Sequence, residues 1–106
     1  MKMVLLMYLS DDENRVLKLL DRLEVTAFSR LGMEGRGAGL PGWYGDVAPY
    51  RSGMIFVLLP DARARELMSA VRGLDEVADP DHPVHAVALA VEDTANCGLD
   101  DPRPQD

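Results

Sequence analysis

At 106 residues the chain can bury one hydrophobic core but not two, and a 47% apolar content suits an ordered globular domain rather than a disordered segment. A net charge of −7 argues against general nucleic-acid binding, which depends on clustered Lys and Arg releasing counterions from phosphate. The single cysteine, Cys97, closes no intrachain disulfide.

Met1 to Leu9 is a nearly unbroken apolar run, the pattern of a strand covered on both faces or buried in an assembly. It is too short to span a membrane as a helix, and Asp11, Asp12 and Glu13 follow where a signal peptide would carry small residues. The expectation is a cytoplasmic chain with no direct membrane insertion. Ser10 and Glu13 have capping-box spacing, so a helix is expected to begin here, with Val16, Leu19, Leu20 and Leu23 as its apolar stripe. Val25 to Met33 is β-branched and aromatic enough for a second strand, with Arg30 its one charge.

An irregular stretch, 34–53, comes next, followed by a third strand at 54–60. Asp61 is placed to cap a second helix with the stripe Ala64, Leu67, Met68, Val71 and Leu74, and Gly73 is placed near its C-terminus. An acidic loop leads to a fourth strand, 84–91, and residues 96–106 form an acidic tail expected to be disordered. The order β-α-β-β-α-β predicts an α+β ferredoxin-like domain over 1–95, an antiparallel four-stranded sheet with both helices on one face. Its other face would be apolar and uncovered, which predicts a homo-oligomer.

The stretch 34–53 is too long for a simple hairpin connection and too varied for a linker. Its glycines let backbone N–H groups approach a ligand, and Arg36 and Arg51 supply guanidinium forks for phosphate or carboxylate. Trp43, Tyr44 and Tyr50 suit a base or a partner's groove. Residues 37–42, GAGLPG, match G-x-G-x-x-G only formally, because no helix pattern opens after them.

Together, MKMVLLMYL, the glycine-rich insertion between strands two and three, MIFVLLPDARARELMSAV and HAVALAVED resemble the PII-like signalling proteins (nitrogen regulatory protein P-II superfamily). The resemblance covers residues 1 to about 95 and rests on layout more than on an invariant motif. It implies a homotrimer that binds a small ligand between subunits, an adenine nucleotide or another small anion. It also implies a mobile T-loop, here 34–53, that docks onto a membrane transporter or a regulated enzyme. Carried over by position, Gly35, Arg36 and Gly37 in EGRG and Arg51 in YRSG are the ligand-binding candidates, with Trp43, Tyr44 and Tyr50 on the partner-binding loop. The basic residues that PII places near its fourth strand are missing, the local sequence being DPDHPVHAV.

The leading reading is therefore a non-enzymatic ligand-sensing signalling protein. Two rivals keep the subunit fold: a metal-handling trimer resembling CutA, with His82 and His85 as weak candidate ligands, and a small dimeric ferredoxin-like enzyme. On a strand the spacing of His82 and His85 sends the imidazoles to opposite faces, and the adjacent Glu92 and Asp93 are likewise poorly placed as an acid/base pair.

Overall fold

The computed structural model describes residues 1–37, 49–77 and 82–97. In chain order they form β1 (Lys2–Leu9), a 3₁₀ turn (Ser10–Asp12), α1 (Glu13–Arg22), β2 (Ser29–Arg36), β3 (Pro49–Leu59), α2 (Asp61–Val77) and β4 (His85–Ala90). All pairings are antiparallel and the strand order is β2-β3-β1-β4, the ferredoxin-like arrangement.

Alternate residues of the central strands enter the core. Val4, Leu6 and Tyr8 of β1 stand beside Val57, Ile55 and Gly53 of β3, and all but the glycine belong to one buried apolar cluster. Val16, Leu19 and Leu20 of α1 and Ala64, Leu67 and Val71 of α2 close over that face, as their helical spacing predicts. The opposite parity, with Leu5 beside Phe56 and Val87, forms the other face, where Leu31, Val87 and Leu89 are exposed.

Two strand boundaries differ from the expectation, each for a local reason. Val25 is not in a strand, because α1 ends in a Schellman motif. Val25 N–H donates to the Leu20 carbonyl at 2.9 Å, Glu24 N–H to the Asp21 carbonyl at 3.0 Å, and Glu24 takes a positive φ of 58°. The motif uses Val25 as its buried apolar anchor, and β2 starts four residues later. β3 starts at Pro49 rather than 54, so both arms of the expected irregular stretch are paired strand. Pro49 is tolerated because it is the first residue of its strand. α2 runs four residues past Gly73 to Val77.

Two helix starts also differ. The capping box does not form, since Ser10 falls in the 3₁₀ turn and no side chain caps either that turn or α1. Asp61 is the first residue of α2 rather than its cap. Its carboxylate pairs with the α-ammonium of Met1, and the Pro60 carbonyl takes the Ala64 N–H at 2.9 Å. That ammonium holds the Asp61 carboxyl below its ordinary range, chiefly through the hydrogen bond and then through its charge. No helix among the described residues is long and apolar enough to cross a membrane.

Candidate functional site

The β2–β3 hairpin brings the two ends of the glycine-rich stretch together. Its register sets Gly35 opposite Tyr50, Glu34 opposite Arg51 and Arg36 opposite Pro49, so four candidates separated by up to sixteen positions come together at one end of the hairpin. Strand alternation sorts them by face. Glu34, Arg36 and Arg51 project from the side that carries the helices, while Gly35 and Tyr50 project from the open apolar side. Glu34 and Arg51 form a cross-strand pair of opposite charge, and all three charged side chains are exposed.

Gly35 is covered by its cross-strand partner. A Cβ there would stand 2.7 Å from the Tyr50 ring, so the aromatic lies across the glycine. Gly37 follows directly after β2. Trp43 and Tyr44 lie outside the described residues, as does most of the expected T-loop, and so do residues 98–106 of the tail.

Further along the same side of the hairpin, Gly32 stands opposite Gly53, and the two side-chain-free positions leave a concavity of ≈ 270 Å³. Tyr8, Ser10, Glu13 and Arg30 line it, together with the two glycines. The Tyr8 hydroxyl donates to Glu13 Oε1 at 3.1 Å, and Arg30 Nη1 approaches the same oxygen at 3.2 Å. Burial is the main reason the Tyr8 phenol is pushed up to about 12, with the neighbouring Glu13 carboxylate adding to it and Arg30 opposing it.

None of these residues had been singled out for binding from the sequence. Glu13 reads as half of a capping box and Arg30 as the one charge of its strand. The available signal was the alternation Arg30, Gly32, Glu34, Arg36, which places every charge of β2 and one glycine on one face.

The histidines are held apart. His82 Nδ1 lies 2.9 Å from Asp12 Oδ2, and the His82 carbonyl accepts from Arg15 Nη2 at 2.8 Å, which ties the segment before β4 to α1. His85 is in β4, in register with Met7 on the open face. Among the described residues no group of three or more His, Cys, Asp or Glu side chains is placed to hold a metal ion. Glu92 and Asp93 fall beyond the end of β4 rather than in it, and Cys97 is an exposed free thiol.

No protein-family model matches the chain, and no curated protein matches it in sequence. Solved structures do match its fold. CPII, a nitrogen regulatory PII-like protein from Thiomonas intermedia K12 bound to ADP, AMP and bicarbonate, aligns with a TM-score of 0.60 at 18% identity, over 89% of this chain and 94% of that one. A further CPII structure, bound to ADP, AMP and acetate, aligns at 0.58 and 18% identity over 85% of this chain and 88% of that one. A DUF3240 family protein from Shewanella baltica OS155 aligns at 0.60 and 14% identity, over 90% and 93%. The chain therefore has a PII-like, ferredoxin-like fold.

Proposed function

We propose that the chain is a small-ligand sensor that regulates a partner without transforming its ligand. The observation that carries this reading is the root of the β2–β3 hairpin, where Arg36 and Arg51 project from one face and Gly37 follows directly after β2, at the start of the glycine-rich connection. Two guanidinium groups and a glycine backbone suit a phosphate or carboxylate. CPII, whose fold this chain shares, is bound to ADP, AMP and bicarbonate.

In this reading an adenine nucleotide or a smaller anion binds at the hairpin root, in a cleft between subunits of a homotrimer. The T-loop, 34–53, to which Trp43 and Tyr44 belong, passes the signal to a transporter or an enzyme. Such a switch works only where the ligand binds its two states differently, and Arg36, next to Gly37, is placed to make such contacts.

Calorimetric titration with AMP and ADP, with and without bicarbonate, tests the reading. Arg36→Ala should weaken binding about ten- to a hundredfold, as expected for loss of a charge-assisted hydrogen bond, and should leave thermal stability unchanged because the side chain is exposed. A wild-type chain that binds none of these, or an Arg36→Ala variant of unaltered affinity, would overturn it.

A further inference from the structure

We infer that the concavity between the start of α1 and the first half of the hairpin is a second binding site, for a small zwitterion of the α-amino acid type. It is separate from the hairpin root, since neither Arg36 nor Arg51 lines it.

Charge selects the ligand class. The mouth holds one carboxylate, Glu13, and one guanidinium, Arg30, 3.2 Å apart and both partly open to solvent, with 37% and 56% of the side chain exposed. A simple anion drawn to Arg30 also meets Glu13, and a simple cation drawn to Glu13 meets Arg30, so attraction and repulsion nearly cancel for either. A molecule carrying ammonium and carboxylate on one carbon presents two opposite charges at about the spacing of these two side chains. It docks head to tail, its carboxylate on the guanidinium fork and its ammonium on Glu13. The Tyr8 hydroxyl already donates to Glu13, which fixes the carboxylate before a ligand arrives and lowers the ordering cost of binding.

Space selects the ligand size. The floor is the Gly32–Gly53 pair, and the two glycines are there for different reasons. At Gly53 a Cβ would stand 2.6 Å from the Tyr8 ring, so the residue is fixed by packing. At Gly32 a Cβ would meet nothing within 4 Å, so the empty volume beside it is one that packing does not require. About 270 Å³ accommodates the body of a small amino acid.

Amide NMR spectra of the full chain, titrated with glycine, L-alanine and L-serine and, as controls, acetate and methylamine, test the proposal. The zwitterions should shift the Gly32 and Gly53 resonances in a saturable way, and neither control should. Gly32→Val, whose methyl groups fill the open volume while suiting a strand, should weaken binding about tenfold or more. Arg30→Gln should do the same and serves if the valine variant does not fold. The proposal is overturned if none of the three zwitterions shifts these resonances at about 10 mM, if acetate or methylamine shifts them equally, or if the folded variants bind as the parent does. The same spectra keep the two sites apart, because AMP binding at the hairpin root would move Gly35 and Arg51 instead.

Discussion

At the scale of single residues, Tyr8 links the core to the concavity. Its ring is fully buried beneath Gly53 while its hydroxyl reaches Glu13 at the mouth. In an ultraviolet titration the Tyr8 phenol should ionise at about 12, and Tyr8→Phe should remove that component. The direction of the pH dependence follows. A phenol pushed up from 10.0 contributes stability that is whole below 10 and is lost as pH rises toward 12, so urea midpoints should fall across that window and fall less in the Phe variant. The facing glycines give a paired test. Gly53→Ala drives a Cβ into the immobile Tyr8 ring and should cost about 1–3 kcal/mol. Gly32→Ala meets open space and should stabilise by about 0.5–1 kcal/mol, since glycine is a poor strand residue. Equal midpoints for the two variants would mean that the Tyr8–Gly53 contact does not limit this part of the sheet.

At the scale of elements, the end of α1 stores removable strain. Glu24 holds a left-handed conformation that costs a residue with a Cβ roughly 1–2 kcal/mol, and glycine avoids that cost. Glu24→Gly should therefore raise the unfolding free energy from chemical denaturation by about 1 kcal/mol, and a lower value would show that the Glu24 side chain supplies something the motif needs. The same motif explains what was legible in the sequence. The helices were readable because apolar period fixes them, as with Val16, Leu19 and Leu20 on α1, and β1 was readable because it is a nearly unbroken apolar run. The second strand was misplaced because Val25 has the right side chain for a strand and serves instead as a helix-end anchor, a role signalled only by a backbone turn that glycine usually occupies. The hairpin arms were hidden because Gly35, Gly53 and Pro49 are weak strand formers held in place by pairing across the sheet. Arg36 and Arg51 could be named from sequence, but their shared face could not, since it depends on a register that places position 34 opposite 51. The concavity was less legible still, because it is made by two absent side chains and by a carboxylate whose sequence neighbours point to helix capping.

At the scale of the whole molecule, the open face of the sheet sets the last problem. Leu5, Phe56, Leu31 and Val87 share it with Leu89, which is 48% exposed, and an apolar face of that extent is uncommon on a soluble monomer. Burying it between copies is opposed by charge, since each subunit brings −7 and assembly gathers that repulsion into one body. The two effects differ in how they respond to salt. Apolar burial is insensitive to screening at moderate ionic strength, whereas repulsion between surface charges weakens as the Debye length shrinks from about 30 Å at 0.01 M to about 10 Å at 0.1 M. A homotrimer should thus dominate sedimentation profiles at 0.1 M salt and lose ground at 0.01 M. Leu89→Glu tests the face directly, because Leu89 contributes nothing to the buried cluster of the subunit yet sits on the surface to be covered. The variant should sediment as a folded monomer with an unchanged amide spectrum for the core residues. If nucleotides bind in a cleft between subunits, AMP affinity should fall with assembly in this variant although Arg36 and Arg51 are intact. A trimer that survives the glutamate would place the contact elsewhere, and a monomeric variant that still binds AMP as the parent does would put the ligand within one subunit.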